Sequence, residues 1–326
     1  MVLFGWRLVL AVAAICVPLT ARAQLTPDVV ASYRTVVGGR IETAVIFAGD
    51  QGISGSTMSQ ATGGTDQRTA NVKVTKVAGA GDVGHPKPLG GLPLRWQPRV
   101  QGSMGYLTAR NDFHGGPLQG DEIDDKSFAI QFGGGARFWF TDRVSFAPTL
   151  MGMYGHIKSD YIANSDFAKA NLLEAQELGL VDWTTNTWSI IPAADVRYVV
   201  DWHRTVFKID SELTYFYTQS FSASNPTLSV GGNSETWRNR LDVDVPIGLE
   251  LFGQELHTGG FFSRTEFYGD VRIGLDDDHM YQIHGRLVLD LLGKLWKTKW
   301  LGLGGSYLWG STFHAWTVGA DIAMQF

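Results

Sequence analysis

Downstream of residue 93 the chain alternates apolar and polar residues with a period of two, in runs longer than a soluble sheet uses. In 236–251 one face carries Trp237, Leu241, Val243, Val245, Ile247, Leu249 and Leu251, and the other Arg238, Arg240, Asp242, Asp244 and Glu250. In 204–221, Phe207, Ile209, Leu213, Tyr215 and Tyr217 oppose Lys208, Asp210, Glu212 and Thr214. The last stretch sets Trp316, Val318, Ala320, Ile322, Met324 and Phe326 against Thr317, Gly319, Asp321, Ala323 and Gln325. Strict alternation is the mark of a β-strand with one apolar and one wet face. The pattern recurs in 94–106, 127–140, 143–154, 185–202, 255–273, 280–291 and 299–309, with fainter candidates at 40–49 and 70–78. That makes about twelve strands, an even number as in bacterial outer-membrane barrels.

Length decides between a sandwich and a membrane wall. Strands of soluble sheets run to about 5–6 residues, whereas a tilted membrane strand needs about 9–11. Trp188 and Tyr198 share a face ten positions apart. At ~3.3 Å per residue and a tilt of ~40° that separation projects to roughly 25 Å, the height of an outer-membrane apolar band. Connections alternate too. Asn111 to Asp125, His156 to Trp183 and Ser222 to Ser234 are long, while the turns near Thr141-Asp142, at His203 and at Gly253-Gln254 are short. Long loops outside and short turns inside are the bacterial outer-membrane arrangement. The expected fold is therefore all-β: a closed antiparallel transmembrane barrel, with short turns and C-terminus in the periplasm.

Other features fit that reading. No run of eighteen apolar residues follows the N-terminus, so no helix is expected to span a membrane. A mean hydropathy of −0.04 suits strands that average one apolar and one polar face. Net charge of −5 gives no footprint for nucleic acid. Residues 1–23 read as a signal peptide: Arg7, the apolar run Leu8 to Val17, then Ala21-Arg22-Ala23. Cys16 is the only cysteine and lies within that leader, which leaves the mature chain without disulfides or thiol chemistry. Residues 24–39 form a short helical segment, with Pro27 at its start and Gly38 at its end, and residues 40–326 form the barrel. A second helix is expected from Ser165 to Gly179, as a surface helix in an outer loop or a plug over the lumen.

The polar faces carry the concentrated chemistry. A luminal charge network is expected from Asp210, Glu212, Arg238, Arg240, Asp242, Asp244, Arg264 and Glu266. Its signs are mixed, which favours cross-strand ion pairs filling a narrow lumen over a selective pore with one sign at a constriction. Catalysis at a barrel rim would need a His beside a Ser or Asp. His279 follows Asp276-Asp277-Asp278 and His314 lies near Ser311, in neither case with a recognisable spacing. The acidic run 276–278 lacks EF-hand spacing. No enzyme activity, cofactor or metal is expected.

From Leu94 to Phe326 the sequence resembles the solitary, passenger-less autotransporter-like outer-membrane β-barrels. The resemblance rests on the strand count, the helix at 27–37 before the barrel, FGGGARFWFTDRVSFAPTLMGMYG, and the end LGLGGSYLWG…AWTVGADIAMQF. It implies a place in the outer membrane of a Gram-negative bacterium. It also implies a monomer in contact with outer-membrane lipid, and recognition by the barrel-assembly machinery through a terminal signal containing Trp316 and Phe326. Between Gln24 and the first candidate strand only about fifteen residues intervene, too few for an exported passenger. A plugged structural or assembly barrel, a small-solute channel and a lipid-modifying enzyme are the three function classes, in that order.

Overall fold

In a computed structural model the described residues are 52–61, 68–113, 119–177, 181–224, 231–275, 277–295 and 298–324. The signal peptide, the helix at 24–39, the strand candidate at 40–49 and Phe326 lie outside them. Twelve long strands make up the fold: β1 Gly52–Ala61, β2 Arg68–Asp82, β3 Arg95–Phe113, β4 Glu122–Trp139, β5 Val144–Ile162 and β6 Trp183–Trp202. They continue as β7 Thr205–Ala223, β8 Gly231–Leu251, β9 Gln254–Gly269, β10 His279–Leu295, β11 Thr298–Trp309 and β12 Phe313–Met324. Helix α1 is Asp166–Glu177 and α2 is Asp270–Leu275. Each strand pairs antiparallel with its sequence neighbours, and β1 pairs with both β2 and β12. The architecture is an all-β, antiparallel, barrel-like fold of twelve strands.

The first strand is GISGSTMSQA at 52–61. Its few apolar residues follow no period of two, so hydropathy alone passes over it. The strands also extend beyond their expected ends. Asp112 pairs with Glu122, and Ser159 with Trp183, so much of two stretches read as loops is ladder. The connection between β2 and β3 stays long because it folds back on β3. Lys87–Pro88 pairs with Trp96 and Arg95, Val83 N donates to Pro98 O, and the buried Gln97 amide donates to Gly84 O at 2.5 Å. At the same end the tight turns use left-handed residues, His203 at φ 55° and Phe252–Gly253 at 54° and 69°.

The two faces of the wall invert the soluble rule. On β4, Phe132 points outward at 71% exposure while Arg137, five residues on, points inward at 0%. Along the same outward row Phe128, Ile130, Phe132 and Phe138 are apolar, and beyond them toward the loop end Lys126 pairs with Asp124 at 2.8 Å. Ten residues separate Phe128 from Phe138, which at ~3.3 Å each and a ~40° tilt again spans roughly 25 Å. An exposed apolar belt around buried polar side chains is stable only where the outer solvent is lipid.

Two depths of packing fill the interior. Toward the loop end the inward residues are apolar side chains interleaved with buried Ser and Thr such as Thr187, Ser189, Thr218, Ser263 and Thr265. Val72, Val74, Leu107, Phe267, Met280 and Leu308 form one cluster with Val271 and Leu275 of α2. Met151, Met153, Ile157, Trp183, Ile191 and Phe216 form a second. Toward the turn end the inward residues are charged.

Candidate functional site

The charged zone runs from β2 to β10. Arg137 sits at its centre, placed inward by the parity of β4. Its Nε lies 3.0 Å from Asp82 Oδ2, its Nη2 2.9 Å from Asp195 Oδ1, and its Nη1 donates to Ser145 Oγ at 2.8 Å. Asp82 also takes Arg99 Nη1 at 3.0 Å. Next along the wall Arg197 Nε meets Asp210 Oδ1 at 2.5 Å, and Arg238 pairs with Glu212. Asp242 is held by Arg240 at 2.5 Å and by Arg286 at 2.9 Å, and His257 Nδ1 reaches Asp244 at 2.7 Å. The Arg240 guanidinium stacks 3.7 Å from the Phe261 ring centroid. Each of these charges thus meets an opposite one on the same strand, the next or the next but one, as buried charges require.

Six of the eight residues expected in the network face inward: Asp210, Glu212, Arg238, Arg240, Asp242 and Asp244. Arg264 and Glu266 do not. They sit on the outward face of β9 and pair with each other at 2.6 Å. The inward residues there are Ser263, Thr265 and Phe267. In β9 both faces carry phenylalanine, Phe261 inward and Phe262 outward, so alternation could not fix which parity faces lipid. Arg137, Asp82 and Arg99 lie outside the expected set. Asp82 falls beyond the strand candidate at 70–78, and Arg99 and Arg137 are each one polar residue in an alternating run.

On the outer surface, Arg264 stacks 5.4 Å over Tyr281 within a row of rings. Tyr281 stacks on Trp309 and Trp309 on Tyr307, each at 5.5 Å, and Tyr307 lies 4.5 Å from Trp316. Trp316 is therefore part of an exposed aromatic girdle, the kind of belt found at membrane interfaces.

The stretch 255–273, read as one strand, ends at Gly269, whose φ of +70° breaks the ladder. The chain turns there into α2, which lays Val271 and Leu275 into the loop-end cluster. Asp270 accepts the Asn233 N–H at 2.8 Å and Ser234 Oγ accepts the Val271 N–H at 2.9 Å. Beyond α2, Asp277 accepts the backbone N–H groups of Ser311 at 2.5 Å and Thr312 at 3.1 Å. Asp277, Asp278 and His279 do come within metal-ligand reach of one another, but the Asp277 carboxylate is used as this clasp. Helix α1 is capped as expected, with Ser165 Oγ accepting the Ala168 N–H at 3.1 Å. Asp121 in turn binds the backbone of Asn164 and Ser165 and ties two loops together.

Burial raises the Asp270 carboxyl above the usual carboxylate range, and the Asn233 N–H only partly offsets it. A raised carboxylate favours its protonated form in the folded state. Its stabilising contribution is therefore full below the ordinary carboxylate pKa and is lost as pH rises through the elevated one. Asp270→Asn keeps the acceptor and removes the charge. It should raise the melting temperature at pH 7 slightly and flatten the decline between pH 4 and 7. An unchanged pH profile would show that Asp270 is fully solvated.

Below the apolar cluster, three strands bring Ser306, His284 and Asp321 together. His284 faces Ser306 in register, with Nδ1 2.8 Å from Ser306 Oγ, and its Nε2 lies 3.0 Å from Asp321 Oδ2. The histidines singled out from sequence are elsewhere. His279 contacts Asp278 at 2.5 Å on the rim, and His314 is on the outward face of β12. His284 gave no signal because its partners are 22 and 37 residues away.

Residues 92–319 match the family model described as the solitary outer membrane autotransporter β-barrel domain. No curated protein matches the chain. Among solved structures it is similar to the transport unit of the autotransporter AIDA-I from Escherichia coli. That match has TM-score 0.57 and 10% identity, over 91% of this chain and 99% of that one. It is also similar to the translocator domain of autotransporter NalP from Neisseria meningitidis, with TM-score 0.51 and 10% identity over 94% and 100%. At such identities the likeness is one of fold.

Proposed function

Because this chain belongs to the solitary outer membrane autotransporter β-barrel domain family, we propose that it spans the outer membrane as a closed, translocator-type barrel whose lumen is shut. The pairing of β1 with both β2 and β12 supports closure. The zero exposure of Arg137, deep on an inward face and bound across to β2 and β6, carries the case for a filled lumen. Ion pairs block the turn half, and apolar packing with α2 blocks the loop half. The shut lumen distinguishes this wall from a conduit held open for export or diffusion. The turns face the periplasm and the loops the exterior, the outward apolar rows contact lipid, and the β12 segment with Trp316 is the part offered to the assembly machinery. The barrel acts as a single chain.

Purified protein in a planar bilayer tests this reading. It should give no steady current steps at either polarity in 1 M salt. Stable, ion-selective steps would replace it with the small-solute channel. In that case Arg240→Glu would leave stability nearly unchanged and shift the reversal potential toward cations.

A further inference from the structure

The Ser306, His284 and Asp321 contacts form a complete relay. Gln282 Nε2 donates to Ser306 Oγ at 3.0 Å. The serine proton is then directed at His284 Nδ1, 2.8 Å away, and His284 Nε2–H at Asp321 Oδ2, 3.0 Å away. The tautomer is assigned from this network, and each member has a defined role in it. The Phe261 ring lies nearly parallel to the imidazole, 4.8 Å away at 18°, and holds its plane. Space for the relay exists because residue 304 is glycine. A Cβ there would sit 2.6 Å from Asp321 Oδ2 and 2.8 Å from His284 Nε2. Gly304 thus opens the inner face of β11 so that His284 on β10 reaches Asp321 on β12. Ser306 is 5% exposed and its neighbour on the same face, Leu308, packs in the apolar cluster with Val271 and Leu275 of α2.

We infer that Ser306 is a nucleophile, with His284 as its base and Asp321 as the residue that positions the imidazole, in a site for carboxylic esters with an aliphatic acyl group. A hydroxyl aimed at an imidazole whose far nitrogen is held by a carboxylate is the arrangement that activates serine, whatever the fold. In the first half-reaction Ser306 Oγ bonds to the ester carbonyl carbon and its proton passes to His284 Nδ1. The C–O bond to the alcohol breaks, and the alcohol leaves with that proton. Water then repeats the path on the acyl-serine, releasing the carboxylic acid and restoring the hydroxyl. Gln282 Nε2, now bonded to Ser306 Oγ, would turn to the oxyanion as it forms. Leu308, Met280 and Ala315 on the loop side are packed against Val271 and Leu275 of α2, so an acyl chain reaches Ser306 only when α2 swings away from them. The charged groups around the imidazole are Asp321 on β12, Arg286 on β10 and Arg240 on β8, the last stacked on Phe261.

The test uses the full chain in detergent micelles with a small fluorophosphonate, followed by intact-mass and peptide analysis. One adduct on Ser306 is expected. His284→Asn should slow labelling by about a hundredfold or more, the usual contribution of a general base. Asp321→Asn should slow it and move the acid limb of the pH–rate profile to lower pH, because the imidazolium loses its counter-charge. A purely structural pair would not move that limb. Ser189→Ala, at a buried wall serine that bonds Thr218 instead of a histidine, should label like the parent. No adduct on folded parent protein, an adduct that persists in Ser306→Ala, or equal rates in parent and His284→Asn would each overturn the assignment.

Discussion

Arg137→Met should cost the folded barrel about 3–5 kcal/mol, the range for breaking a buried ion pair by removing one partner. The guanidinium has no exposed surface, and it serves Asp82 on β2, Asp195 on β6 and Ser145 on β5. Methionine fills much of the same volume, so the loss measures charge more than cavity. Asp82 keeps Arg99 at 3.0 Å, but Asp195, itself only 11% exposed, loses the guanidinium it pairs with. The comparison is Phe132→Leu on the outward face of the same strand, which trades one apolar surface for another against detergent or lipid. Surface swaps of that kind stay within about 0.5 kcal/mol. Urea unfolding in micelles, followed by tryptophan fluorescence, gives both values. A loss for Arg137→Met below about 1 kcal/mol, the level of a solvated pair, would mean that water reaches the guanidinium and that the lumen is open at this depth.

The features that made the fold legible and those that did not have separate physical origins. Strands β3 to β12 announced themselves because lipid outside and polar packing inside select opposite residue types at alternate positions. Trp188 and Tyr198, Phe207 and Tyr217, and the inward Asp210, Arg240 and Asp242 all followed from that single rule. The rule fails where both faces share a residue type. It misassigned Arg264 and Glu266 in β9, and it passed over β1, whose Gly, Ser and Thr residues carry little hydropathy. It also says nothing about contacts between strands that are distant in sequence. Arg137 with Asp82, and His284 with Asp321, are 55 and 37 residues apart. They meet only once the register is fixed, and register depends on every pairing between them. The cap made by α2 was hidden for a related reason. Its Val271 and Leu275 read equally well as the end of a strand until Gly269 is seen to leave the ladder.

Glycine positions sharpen this point, because what they permit is a distance between backbones. The run Gly133-Gly134-Gly135 lies in β4 where that strand presses on β5. A Cβ on Gly135 would come within 2.0 Å of Pro148 O and 2.9 Å of Thr149 Cα, both backbone atoms. Neither atom can rotate away as a side-chain tip would. To admit a methyl group β5 must move outward, and the Gly135–Thr149 pairing must open. The strand cannot move alone, since β6 is paired along its other edge from Val144 to Ser159. Gly135→Ala should therefore destabilise the barrel by about 2–3 kcal/mol, toward the upper end for overpacking, and lower the folded yield seen as a heat-modifiable gel band. Gly152→Ala on β5 is the matched control, because a Cβ there meets nothing within 4 Å. It should be neutral or slightly stabilising, as removing a strand glycine reduces the entropy lost on folding. If the two substitutions prove equal in urea unfolding and in folded yield, the close approach of β4 to β5 is wrong. The FGGG segment would then owe its glycines to something other than packing.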